Sequence, residues 1–426
     1  MTTLKRNIQP PVNGIIIPPL QEPTTIGLNN GLKLHFLEGG SQGVAKVDFI
    51  FPAGSVQAAK SLVASTTNTI LAEGTKSMTS AEVSEKLDYY GAYLWQYTNY
   101  HYSVFTFFCL SRYLPELLPL VEEIIKDPVF PQEELDIYLN RRRQEFLVDL
   151  QKVKILSARR FNKTMFGEEH PYSNMLEMHS FDNITRNDVV DFHKRTYSPT
   201  NAHIIAAGLP GKNFPELIDR YFGNNWEAMP EINDHLTANH KPGSAYVFEE
   251  HDWAIQSSVR IGRPLFNRSH PDFIPLSILN TVLGGYFGSR LMTNIREEKG
   301  LTYGIGSSIV PMKYSGYWMI STEVKAENRE LAVQEIFNEL AKLRDEPIGA
   351  EELELVKNYL MGEMIRTFDG PLATSDQFRG QLVSDLGMNY FNRYAEIINS
   401  ITSTQLHQLA QTYLKQEDFI TIVAGK

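Results

Sequence analysis

At 426 residues, with 42% apolar and 21% charged side chains, the chain is long enough for two or more domains with cores of their own. A net charge of −10 disfavours non-specific nucleic-acid binding, and a single cysteine, Cys109, excludes an internal disulfide and a cysteine-rich zinc site. No run of about 18 apolar residues could span a membrane, and residues 1–11 lack the apolar core of a secretory signal, so a cytoplasmic location is expected.

Taken in chain order, the first firm signal is Thr79-Ser-Ala-Glu82. A threonine followed three residues later by glutamate is a capping box, and it predicts a helix that ends near Gly91. Ala92 to Tyr100 and Tyr102 to Leu110 follow as adjacent strands, rich in aromatic and β-branched residues around a short polar turn. Cys109 lies inside the second of them and is expected to be buried and inert. Amphipathic helices are predicted around Pro115 to Ile125 and from Pro131 to Leu150. The second carries Arg141, Arg142 and Arg143 among Glu133, Glu134 and Glu145, which reads as an ion-paired face rather than a nucleic-acid site. Asn224 to Ser244 is polar, with two prolines and a glycine, and reads as a linker. Tyr314 to Val324 alternates as a core strand.

The parts on either side of that linker repeat one another. Ile184-Thr185 opens a helical run to Thr196-Tyr197, followed by the apolar His203 to Gly208. Ile401-Thr402 opens a second such run to Thr412-Tyr413, followed by Phe419 to Gly425. Together with the mixture of hairpins and helices, this predicts an α+β fold. The expected divisions are an N-terminal domain over 1–223, a linker over 224–244 and a C-terminal domain over 245–426.

Several segments resemble the pitrilysin/insulinase type of metallopeptidase, the inverted zincins, which include the heterodimeric mitochondrial processing peptidases. They are Leu28-Asn-Asn-Gly-Leu32, Gly74-Thr75 with the helix after Thr79 and Gly91-Ala92, Phe166-Gly-Glu-Glu-His-Pro-Tyr172, and Tyr197-Ser-Pro-Thr-Asn-Ala202. The most specific match is Leu283-Gly-Gly-Tyr-Phe-Gly-Ser-Arg-Leu291 with Ile295-Arg-Glu-Glu-Lys-Gly-Leu-Thr-Tyr-Gly304. The resemblance covers nearly the whole chain. It implies two homologous α+β domains, each an antiparallel sheet flanked by helices, forming half of a clamshell.

The chemistry of that family needs His-x-x-E-His on a helix: two imidazoles on one face reach the zinc, and the glutamate activates its water. Counted back from Gly74-Thr75, the motif falls on Ser65-Thr-Thr-Asn-Thr69. Ser65 and Thr69 replace the histidines, and Asn68 replaces the base. Hydroxyls and an amide are poor zinc ligands, and asparagine cannot take a proton from water. Glu145 lies near the place of the family's distant glutamate ligand and reads as a solvated helix carboxylate. No cofactor is therefore expected on this chain, neither catalytic residues nor a metal site of its own.

The resemblance implies that Arg296 and Tyr303 reach a substrate in a partner's active site. Arg296 is expected near the end of a helix stopped by Gly300, and Tyr303 just inside the next strand. A guanidinium can grip a peptide carbonyl or carboxylate, and a phenol can donate to a carbonyl where charge develops. Gly284 and Gly285 are expected to permit tight backbone, and Arg290 to bond backbone at the chain reversal. The leading expectation is a catalytically silent subunit of a zinc peptidase heterodimer, binding peptide beside a zinc-bearing homologous subunit, with no nucleic acid and no membrane. A stand-alone peptide- or protein-binding scaffold and an active zinc peptidase with an unrecognised site are the alternatives.

Overall fold

A computed structural model describes residues 19–232, 236 and 245–426. Of the expected linker, residues 233–235 and 237–244 lie outside the described residues. The strands are β1 (Thr24–Gly27), β2 (Lys33–Glu38), β3 (Val44–Phe51), β4 (Tyr93–Thr98), β5 (Ser103–Leu110), β6 (His203–Gly208), β7 (Ala245–Glu250), β8 (Gln256–Leu265), β9 (Ile305–Pro311), β10 (Gly316–Lys325) and β11 (Ile420–Gly425). The helices of the first part are α1 (Val63–Thr69), α2 (Ser80–Tyr90), α3 (Leu114–Lys126), α4 (Gln132–Asp149), α5 (Val153–Phe166), α6 (Ser180–Asn183), α7 (Arg186–Thr196) and α8 (Phe214–Phe222). Those of the second part are α9 (Phe273–Asn280), α10 (Arg329–Asp345), α11 (Ala350–Thr367), α12 (Gly370–Leu382), α13 (Asn389–Ser400) and α14 (Ser403–Tyr413).

Two sheets result, ordered β1-β2-β6-β3-β5-β4 and β7-β11-β8-β10-β9. The fold is α+β, with helices flanking both sheets. Each sheet is antiparallel except for one parallel pairing, β2 with β6 and β7 with β11. The duplication explains this departure from a purely antiparallel sheet. In each part a helix with a threonine capping box (Thr185 or Thr402) feeds a last strand, which inserts parallel to β2 and antiparallel to β3 in the first sheet, and parallel to β7 and antiparallel to β8 in the second.

The central strand β3, Val-Ala-Lys-Val-Asp-Phe-Ile-Phe, is buried at both alternations because both faces of its sheet are covered, and the alternation that carries Lys46 and Asp48 faces α12. Ala45, Val47, Phe49 and Phe51 point into the first core, against α3 and α8, and the Phe49 and Phe222 rings lie 4.7 Å apart. Each such large apolar side chain contributes about 1.5–3 kcal/mol on burial. In the second sheet Val259, Ile261, Trp318, Ile320 and Val423 meet Ile336, Leu340, Leu406 and Ala410 of α10 and α14.

The opposite face of each sheet is covered by a helix from the other repeat. Phe161, Met165 and Phe166 of α5 pack on Ile420 and Ile422 of β11. Ser157 Oγ lies 2.9 Å from Ser258 Oγ, and a Cβ on Gly262 would fall 2.6 Å from the Phe161 ring. Reciprocally, Phe378 of α12, with Met364, Met388 and Phe391, packs on Leu37, Ile50, Val104, Ile205 and Ala207. A charged cluster fixes that helix. Arg379 donates to Asp48 Oδ2 at 2.7 Å, Thr106 donates to Asp48 Oδ1 at 2.7 Å, and Lys46 bridges Asp48 (3.4 Å) and Asp376. The Asp48 side chain is fully buried, so its charge depends on these partners.

The local expectations for the chain are met in detail. Thr79 and Glu82 cap α2 reciprocally, and Gly91 ends it at φ +60°. Cys109 is buried in β5, and burial pushes its thiol up to about 12. Arg141, Arg142 and Arg143 pair with Glu145, Asp149 and Asp182.

Candidate functional site

The segment where a zinc helix is expected is indeed helical. It is α1, entered through Leu62 at φ +72°. Ser65 Oγ donates back to Leu62 O at 3.1 Å, and Thr67 Oγ1 to Val63 O at 2.8 Å, so these hydroxyls are spent on the helix's own carbonyls. Thr69 closes the helix and is half-buried.

Asn68 is 1% exposed. Its amide donates to Tyr97 O (2.9 Å) and Val104 O (3.2 Å), tying α1 to the β4–β5 pair. Its oxygen accepts from the Tyr197 hydroxyl at 3.1 Å, and burial raises that phenol above its usual range. An amide both donates and accepts here, which a carboxylate could not do. Asn68 is a structural joint between α1, the β4–β5 pair and Tyr197.

Beside α1 runs a cleft of about 290 Å³ whose polar lining includes Lys60, Ser65, Thr98, Asn99 and Tyr100. Lys60 is held by Asp188 (2.8 Å) and Asn183 O (3.0 Å). The Tyr100 hydroxyl donates to Tyr172 O, and burial pushes it up to about 12. Hydroxyls, an amide and a cation do not suit zinc. Glu145 lies in α4 in ion pairs with Arg141 and Arg142 and brings no second ligand. Among the described residues no group of three or more His, Cys, Asp or Glu could hold a metal ion.

The other candidate site is built on the motif of the second part. After α9 the chain continues through two wide helical segments, Thr281–Gly285 and Met292–Glu298, and is held by buried polar bonds. Asn280 donates to Ser307 O (3.1 Å) and accepts from Ser307 Oγ (2.7 Å), and the Trp318 indole donates to that same hydroxyl (2.7 Å). Gly284 lies flat against this group, since a Cβ there would come within 2.7 Å of Ser307 Cβ. Asn294 donates to Glu339 at 2.6 Å and to Glu335 at 3.1 Å. Arg290 does not bond backbone at the chain reversal as expected. It makes a two-pronged pair with Glu352 of α11 (2.8 and 2.7 Å), because a carboxylate matches the guanidinium fork better than one carbonyl.

On this rigid base the structure brings Arg296 and Tyr303 together. Gly300 at φ +61° turns the chain, and Arg296 Nε donates to Tyr303 O at 3.0 Å. The Arg296 guanidinium stands 4.6 Å from the centre of the Phe287 ring. The phenol of Tyr303 projects outward, 95% exposed, and Phe287 is 63% exposed. Tyr303 is not inside the next strand as expected but two residues ahead of β9. Thr302 explains this: its hydroxyl donates to Gly304 O and Glu323 O, which closes a turn at that point. Phe287 and Asn294 carry no role in the sequence reading. The available signal for Phe287 is a large aromatic in a glycine-rich turn, Gly285-Tyr-Phe-Gly288.

With this geometry in hand, the family model described as the peptidase M16 inactive domain matches residues 183–360. That stretch contains the whole Arg296–Tyr303 segment. The match, the relatives and the shared fold together support a non-catalytic, pitrilysin-like peptidase. Among relatives, it is 22% identical over 359 residues to a protein of Rickettsia felis named "Uncharacterized zinc protease", covering 83% of this chain and 84% of the relative. It is 23% identical over 282 residues to "Probable inactive metalloprotease YmfF" of Bacillus subtilis, covering 62% of this chain and 65% of that one. The crystal structure of a peptidase M16 inactive domain from Pseudomonas fluorescens has the same fold. It superposes with a TM-score of 0.85 at 23% identity, over 95% of this chain and 98% of that one. The inactive-domain match and the inactive relative support a chain that is not an active enzyme by itself.

Proposed function

We propose that this chain is the silent subunit of a zinc peptidase heterodimer. A homologous subunit bearing His-x-x-E-His would hold the zinc and cleave the peptide, while this chain supplies Arg296 and Tyr303 to the bound substrate. The observation that carries the reading is the contrast between the two motifs. At α1 the base has been replaced by an asparagine bonded into the core, whereas the Arg296–Tyr303 turn presents a guanidinium and a free phenol on a rigid support. The division into repeats over 1–223 and 245–426 belongs to the same proposal, as does a cytoplasmic location. No helix among the described residues is long and apolar enough to cross a membrane.

Arg296 would bind a peptide carbonyl or carboxylate, and Tyr303 would donate to a carbonyl oxygen as charge develops on it. The test is peptide cleavage by the two-chain complex with Arg296→Ala or Tyr303→Phe in this chain. The expected result is an activity loss of about ten-fold or more in each, of the size of one lost hydrogen bond in a transition state. Full activity in both variants would leave a peptide-binding scaffold as the better account.

A further inference from the structure

A cavity of about 330 Å³ lies between α9, α11, α12, α13 and the end of β9, and neither Arg296 nor Tyr303 lines it. Its walls are mainly apolar and aromatic, with Phe273, Phe391 and Tyr394 among them. The Phe391 ring is set edge-on to a neighbouring phenylalanine at 4.8 Å, and burial pushes the Tyr394 phenol up to about 12. The volume is at the lower end of the range for small-molecule sites, about 300–1,000 Å³.

Two polar groups in this lining have unmet bonding capacity. Gln381 is 2% exposed, yet its amide oxygen receives no donor. A buried acceptor without a partner is costly, and it calls for a group that supplies the missing N–H. The terminal amide torsion of glutamine is broad, so a small turn can present the group to the cavity. Arg268 meets no carboxylate among the described residues and acts on the Tyr390 phenol only through its charge. Glu363 also lines the cavity, but it is paired with Arg366 on its own helix and does not neutralise Arg268.

The geometry points to a binding site for a small aromatic carboxylate that also carries an N–H, such as an N-acylated aromatic amino acid. The ring fills the apolar walls, the carboxylate pairs with the guanidinium of Arg268, and the N–H meets the amide oxygen of Gln381. An amine would be repelled by Arg268, and a neutral analogue would leave that cation unpaired.

The probe is N-acetyl-L-phenylalanine, titrated by calorimetry into the full chain, with its C-terminal carboxamide as the control. The acid is expected to bind saturably at one site, and the carboxamide at least ten-fold more weakly. Arg268→Gln is expected to lower the affinity for the acid at least ten-fold. Gln381→Leu removes the unmet acceptor, so it should raise Tm while weakening the acid, which separates loss of binding from loss of folding. Three results would overturn the assignment: no saturable binding up to about 10 mM acid, equal affinity for acid and carboxamide, or undiminished affinity in an Arg268→Gln variant with native circular dichroism.

Discussion

Asn68→Asp changes one atom of a side chain that is almost fully buried, and it tests the claim that Asn68 is a structural joint. The native amide donates to Tyr97 O and Val104 O and accepts from the Tyr197 hydroxyl. A carboxylate of the same shape keeps the Tyr197 bond, loses both donors, and faces two carbonyl oxygens at the 2.9 and 3.2 Å separations the amide now has. Two lost hydrogen bonds cost about 2 kcal/mol. Burial against acceptors raises the new carboxyl's folded-state pKa. A rise of two to three units adds about 3–4 kcal/mol at neutral pH, at about 1.4 kcal/mol per unit. The total is about 5–6 kcal/mol, a large part of the roughly 5–15 kcal/mol that holds a typical domain together.

The sign with pH follows from linkage. Because the folded-state pKa is raised, the folded variant binds more protons than the unfolded one. Its deficit against wild type is therefore smallest near pH 4, where only the lost hydrogen bonds remain, and grows as pH rises through the folded value. Urea unfolding of both proteins at pH 4.5 and pH 8 measures this difference, with the titrations common to both cancelling. A variant within about 1 kcal/mol of wild type at both values would refute the reasoning, since a mere surface remnant of a zinc helix would show that result.

Asp48→Ala should cost about 1.5–3 kcal/mol and loosen α12 from the first sheet, because it removes the buried carboxylate that Thr106, Lys46 and Arg379 share and leaves the two cations to Asp376 alone; hydrogen exchange along α12 and urea unfolding check both effects. His35 and His203 lie 3.2 Å apart, and each is lowered to about 4, chiefly by burial, with Lys33 nearby disfavouring the charged forms. Their unfolded forms take protons near pH 6.5, so stability is complete above that value and falls as pH drops towards 4; His203→Gln should flatten this slope in urea unfolding across pH 4–7. Gly284→Ala places a methyl 2.7 Å from Ser307 Cβ and should cost at least about 1–3 kcal/mol, read as a fall in Tm. Cys109 should resist thiol reagents in the native protein and react at the rate of unfolding, because burial holds its thiol up at about 12.

Local signals account for what is legible in the sequence. The limits of α2 follow from Thr79, Glu82 and Gly91, all within one short stretch, and the β4–β5 pair follows from its alternation and turn. The repeated last helix and strand are legible for the same reason. The exchange of α5 and α12 between the sheets is not, because its contacts join distant positions: Arg379 and Asp48 are 331 residues apart, and Ser157 and Ser258 are 101 apart. That Ser65, Asn68 and Thr69 offer no imidazole or carboxylate can be read directly, whereas the bonding of Asn68 depends on partners 29, 36 and 129 residues away. Arg296 and Tyr303 stand out through a motif, but the turn that places Tyr303 outside β9 depends on Thr302 reaching Glu323 across the sheet.

The most direct measurement on the central claim is gentle purification of the tagged chain from its native cells, followed by identification and quantification of what accompanies it. The account expects an equimolar homologous chain carrying His-x-x-E-His, with peptide cleavage present in the complex and absent from this chain alone. Recovery of this chain by itself at every salt concentration, or chelator-sensitive cleavage by the isolated chain, would contradict it.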